Sequence, residues 1–130
     1  MAATDRMLQL QVEGLQNLES TLEEHKDKSR KFVMFMGAID ETGESWCSDC
    51  RDAEPVVEKV LDNASNPADC VFVLVVVGDR ACWKDPNNEF RQHPSYALTG
   101  IPTLIEVGTN KRLGPDDCKK QDLVEMLFED

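Results

Sequence analysis

Two almost uninterrupted apolar runs, KFVMFMGA over 31–38 and CVFVLVVV over 70–77, limit what this chain can become. A strand that is apolar at nearly every position has no face to offer water, so it belongs inside a sheet with cover on both sides. Between the runs, from Ser48 onward, Ala53, Val56, Val57, Val60 and Leu61 recur at helical spacing and supply one apolar face. Pro55 interrupts that helix and is expected to kink it. Strand, helix and strand in this order form a βαβ unit, whose parallel crossover is right-handed by default.

The flanks extend the unit. Residues 7–12 read as a short strand, and GLQNLESTLEEHK sets Leu15, Leu18 and Leu22 on one face of an amphipathic helix. The segment 79–99 is polar and irregular, with a short helix expected near 88–92. TLIEVG and KRLG read as hairpin strands joined through Gly108, Thr109 and Asn110, and 116–128 as a closing helix with Leu123, Val124, Leu127 and Phe128 on one stripe. The expected order is β-α-β-α-β-α-β-β-α. No repeat, low-complexity tract or Gly/Ser-rich linker divides the chain, so a single domain over 1–130 is expected.

Charge and cysteine usage narrow the function. With 14 Lys plus Arg against 25 Asp plus Glu, the net charge of -11 repels phosphate backbones and anionic lipid, so neither nucleic acid nor a membrane surface is an expected partner. The longest apolar run is too short to span a bilayer, and MAATDRMLQLQVEG has no apolar core of signal-peptide length. The expected residence is cytoplasmic. Five irregularly spaced cysteines do not resemble a secreted disulfide framework. In a reducing compartment the Cys-x-x-Cys of SWCSDC therefore reads as redox or metal chemistry.

In the redox reading, Cys47 stands at the start of a helix, where free amide N–H groups and the macrodipole favour a thiolate, and is the candidate nucleophile. Cys50, one turn further in, is the candidate resolving thiol, able to attack a mixed disulfide on Cys47. A zinc site would need two more soft ligands, but Cys70, Cys82 and Cys118 are scattered and neither His25 nor His93 is paired with them. Trp46 is expected to shield the nucleophile and meet substrate, with packing under the loop as the alternative. Asp49 is a candidate proton relay, or simply an acidic residue offsetting the macrodipole, and its charge opposes a neighbouring thiolate. Cys70 and Cys118 read as core hydrophobes. Cys82 follows a strand parallel to the one leading to Cys47 and so falls at the same sheet edge; a regulatory disulfide and an idle thiol are its two readings.

Far away in sequence, Gly100, Ile101, Pro102 and Thr103 precede a strand, and a proline there marks a strand start or a cis turn. Trp-Cys-x-x-Cys, a helix proline after the second cysteine, and Ile-Pro-Thr before a late strand together resemble the thioredoxin superfamily. ETGESWCSDCRDAEPVV, WKDPNNEFR, IPTL and LVEMLF are similar, over nearly the whole chain, to one thioredoxin-related branch of it. The resemblance implies an α/β thioredoxin fold, a central mixed β-sheet flanked by helices on both faces. It implies a cis Pro102 lying against Cys47 and Cys50, with the backbone before it pairing with substrate. It further implies a cytosolic disulfide reductase acting on small disulfides such as cystine, with electrons from NADPH through thioredoxin reductase; no bound cofactor and a monomeric state are expected.

Two departures from the family pattern bear on the chemistry. Met34 stands where thioredoxins carry a buried carboxylate, leaving Asp49 as the candidate substitute, and Ser48 stands where the branch has proline. Two other functions remain open: a redox-gated binding module for a signalling or motor-associated protein, and a thiol-dependent peroxidase.

Overall fold

The two apolar runs become neighbouring strands at the centre of one sheet. The computed structural model describes residues 7–64 and 67–129; residues 1–6, part of the stretch read for a leader, lie outside them. Strands β2 (Arg30–Met36) and β3 (Cys70–Val76) pair in parallel, with Phe32 opposite Phe72 and Met34 opposite Leu74. Beyond β3 lies β1 (Leu8–Glu13), also parallel. Beyond β2 lie β4 (Thr103–Glu106) and then β5 (Arg112–Leu113), both pairings antiparallel. The order β1-β3-β2-β4-β5 makes a mixed sheet with the two apolar runs inside it.

Alternation along the strands sends side chains to two covered faces. On one face, the ring of Phe32 lies 4.4 Å from that of Phe128 on α5 (Gln121–Phe128), and Val57 and Leu61 of α2 (Ser48–Asp62) border a cavity with Met34, Phe72 and Leu74. On the other, Phe35 meets Phe90 of α4 (Glu89–Gln92) at 5.6 Å and Tyr96 at 5.2 Å. Leu22 of α1 (Leu15–Glu24) closes the same side near Tyr96 and Ile105. This two-sided cover is why β2 could be written as a continuous apolar run. Helix α1 starts at a turn on Gly14, whose φ of 86° suits glycine, and the amide of Leu15 donates to the Glu89 carboxylate at 3.0 Å.

Arg30 ties the far end of the sheet together. Its Nε and Nη2 donate to the two Glu106 oxygens at 3.0 and 2.9 Å, while Nη1 donates to the Phe128 carbonyl at 2.8 Å and Nη2 to the Glu129 carbonyl at 2.9 Å. One guanidinium thus joins β2, β4 and the end of α5.

The structure departs from the sequence expectation in two segments. The segment 79–99 is more ordered than its polar composition suggests: besides α4, it holds α3 (Arg80–Lys84), begun by the Asp79 carboxylate accepting from the Cys82 amide at 2.8 Å. The closing helix is not continuous over 116–128. A 3₁₀ turn, Asp117–Lys119, comes first; Lys120 is then extended (φ -102°, ψ 108°), and α5 follows. The break lets Cys118 turn fully inward, its thiol 3.6 Å from the Leu113 carbonyl, while Lys119 swings toward α2. Helix α2 runs unbroken through Pro55.

Candidate active site

The site grows from the place where β2 stops. Gly37 follows the strand, and a Cβ there would lie 2.6 Å from Cε2 of Trp46, so only glycine lets the indole lie flat on the chain. The indole Nε1 donates to the Gly78 carbonyl at 3.0 Å, just past β3, and the Arg80 guanidinium sits 5.0 Å from the ring centroid. Trp46 is half-buried and pinned between the ends of two strands. Gly37→Ala should lower stability by about 1–3 kcal/mol through overpacking, with a change in Trp46 fluorescence. Denaturant unfolding checks this; a loss below about 0.5 kcal/mol would mean the indole yields freely.

The loop before the motif is closed by a bridge between Ile39 and Ser45, with Asp40 accepting from the Thr42 amide at 2.8 Å. Ser45 then does two things at once. Its hydroxyl donates to the Gly37 carbonyl at 2.9 Å and accepts from the Cys47 amide at 3.2 Å. Two guanidiniums secure the adjoining carbonyls: Arg51 donates to that of Ser45 at 2.6 Å and Arg80 to that of Trp46 at 3.2 Å.

Cys47 is the N-cap of α2, and its own sulfur is the capping acceptor, taking the Cys50 amide at 3.3 Å. On its other side the thiol lies 3.7 Å from the carbonyl of Ile101, the residue joined to Pro102 by a cis peptide bond. The structure thus brings Cys47, Cys50 and the Ile101–Pro102 turn together from positions more than fifty residues apart. Cys47 keeps 8% of its surface exposed and Cys50 none. The hydrogen bond from the Cys50 thiol, helped by the Cys50 amide and resisted by burial and by the Asp49 charge, holds Cys47 at about 7 instead of 9.0. Cys50 moves the opposite way, because its proton is held by Cys47 and its surroundings exclude water.

Asp49 points to a different element. Its carboxylate meets Lys119 Nζ at 2.7 Å, across seventy residues of sequence. A carboxyl that sequence reasoning passed over, Glu54, lies one turn beyond Cys50 on α2 and lines the cavity that Met34 also borders; burial and the nearby Glu58 charge raise its pKa. The i, i+4 spacing from Cys50 was the signal available for it. Ser45, Gly37, Arg80 and Lys119 were likewise passed over, since their roles depend on partners distant in the chain.

The remaining cysteines are dispersed. Cys70 is buried at the start of β3. Cys118 lies behind Pro102, its thiol 3.9 Å from that carbonyl and pushed up to about 12 by burial and the Asp117 charge. The Cys82 thiol is turned onto Gly78, where a Cβ would sit 2.7 Å away, and onto the Val77 carbonyl at 3.7 Å. Among the described residues, no group of three or more His, Cys, Asp and Glu side chains gathers as a metal site would require.

Residues 11–130 match the family described as thioredoxin domain-containing protein 17-like, thioredoxin domain. Thioredoxin domain-containing protein 17 of Mus musculus is 41% identical over 120 residues, covering 92% of this chain and 94% of its own length. The Homo sapiens protein of the same name is 41% identical over 123 residues, covering 95% and 96%. The thioredoxin-like protein Clot of Arabidopsis thaliana is 39% identical over 94 residues, covering 68% and 69%. Among solved structures, oxidised thioredoxin O2 of Arabidopsis thaliana superposes with a TM-score of 0.60 at 15% identity, over 93% of this chain and 95% of that one. Reduced Schistosoma mansoni thioredoxin gives 0.55 at 20% identity, over 92% and 98%. These likenesses bear out the thioredoxin fold expected from the sequence.

Proposed function

Since the chain belongs to the thioredoxin domain-containing protein 17-like family, we propose that it is a cytoplasmic thiol-disulfide oxidoreductase that reduces small or peptide disulfides of the cystine type. The observation that carries the reading is the asymmetry of the pair: Cys47 keeps a small accessible edge and is the more readily ionised thiol, and Cys50 is the fully buried, protonated one.

The reaction follows from that asymmetry. The Cys47 thiolate attacks one sulfur of the substrate, forming a Cys47–substrate disulfide as the substrate S–S bond breaks, and the departing thiolate takes up a proton. Cys50 then gives up its proton and attacks the Cys47 sulfur, releasing the second substrate thiol and leaving a Cys47–Cys50 disulfide. Two electrons have passed to the substrate. NADPH restores the dithiol through the flavoenzyme thioredoxin reductase, and the protein itself holds no cofactor. The Ile101 carbonyl, beside Cys47 and before Pro102, offers an acceptor to a substrate amide.

Small disulfides are favoured over folded ones because the 39–45 loop and the 79–99 segment stand beside the motif and the surface is acidic. NADPH oxidation coupled through thioredoxin reductase, with cystine, insulin and glutathione disulfide as substrates, tests this. Turnover of cystine well above insulin is expected. Insulin reduced as fast as by an ordinary thioredoxin would remove the size restriction, and no turnover of any disulfide would remove the reductase.

A further inference from the structure

We propose that Lys119 is a positioning residue for the nucleophile: from the 3₁₀ turn after the hairpin, its ammonium clamps Asp49 and offsets the carboxylate that opposes ionisation of Cys47. The inference rests on Cys47 as nucleophile. Its basis is geometric. Lys119 Nζ lies 2.7 Å from Asp49 Oδ1 and 3.9 Å from Asp52 Oδ2, so it bridges two carboxylates on the first turns of α2.

Elsewhere around Cys47 the positive charges are committed to other partners. Arg51 of α2 holds the Ser45 carbonyl, and Arg80 of α3 holds the Trp46 carbonyl and ring. The 39–45 loop brings Asp40, whose carboxyl is held below its ordinary range by Thr42. The Ile101–Pro102 turn contributes a carbonyl and no titratable group, and Cys118 behind it stays protonated. On the turn itself, Asp116 adds a negative charge near Lys119. Asp49 adds charge of the wrong sign inside the motif, and Lys119 answers it directly. The pair is partly exposed, 33% for Lys119 and 44% for Asp49, so water screens the effect. The break before α5 also acquires a purpose: a continuous helix from 116 would place residue 119 differently.

The test is the pH dependence of Cys47 alkylation by the neutral reagent iodoacetamide, read by peptide mass spectrometry at low ionic strength. Lys119→Ala should raise the midpoint by about half a pH unit, making labelling about threefold slower at pH 6. Lys119→Arg should keep the wild-type midpoint. In an Asp49→Asn background, Lys119→Ala should move the midpoint much less, because the charge it offsets is gone. Thermal unfolding of each variant separates a lost fold from a moved midpoint. An unchanged midpoint in Lys119→Ala, or the same shift with and without Asp49, would overturn the clamp. Alkylation requires no turnover, so a failure of the reductase reading would appear in the coupled assay and leave this measurement intact.

Discussion

Cys47→Ser is expected to reduce disulfide turnover to background, whereas Cys50→Ser should accumulate mixed disulfides with substrate. The buried thiol is needed to break the intermediate but not to form it, which is why the two variants should differ in kind. Mass spectrometry under non-reducing conditions would show the Cys50→Ser adduct on the peptide carrying Cys47. Preferential labelling of Cys50 in the wild-type protein would reverse the assignment. The pH dependence has a definite sign: a thiol held at about 7 gains reactivity as pH rises through that value, while one left at 9.0 would be mostly inert at neutrality. By linkage, this depressed pKa contributes stability that is complete above the unfolded thiol's value and lost as pH falls through about 7.

The second large effect is structural. Arg30→Ala should destabilise the protein by about 3–5 kcal/mol, because it leaves the buried Glu106 carboxylate without its bidentate partner and frees the end of α5. Replacing both partners, as Arg30→Met with Glu106→Leu, should cost far less than the sum of single changes. Denaturant titration of the four proteins measures the coupling, and additive losses would contradict it. The Arg30 hydrogen bonds, with help from Lys111, hold Glu106 below its ordinary value of 4.5. Its contribution is therefore present above the unfolded carboxyl's pKa and disappears as acid protonates the folded one.

What the sequence disclosed was whatever is written in short-range pattern. Phe32 to Met36 and Val71 to Val75 are apolar because both sheet faces are covered, and that condition appears in the run itself. The placement of Cys47 at a helix start, with Cys50 one turn further in, was legible because a helix start is written locally. Arg30–Glu106 and Asp49–Lys119 join residues 76 and 70 apart, and no spacing rule marks such partners. Helix α3 was missed because a single carboxylate, Asp79, sets its start, with too few residues after it to show a period. The split before α5 was missed because the stripe Leu123, Val124, Leu127 continues smoothly past it, while the cause of the split, the burial of Cys118, is tertiary.

Cys47 serves as its own helix cap, so in the proposed reaction the atom that exchanges electrons is also an atom that holds the fold. When it enters a disulfide its sulfur loses the negative charge that made it a good acceptor for the Cys50 amide. Around a closed thermodynamic cycle, whatever the reduced helix start gains from that charge must reappear as driving force toward reduction. Unfolding free energies of the oxidised and reduced forms therefore measure, by their difference, how far folding moves the dithiol from the potential of the same two cysteines in an open chain. Conformational stability and electrochemistry are two readings of one sulfur.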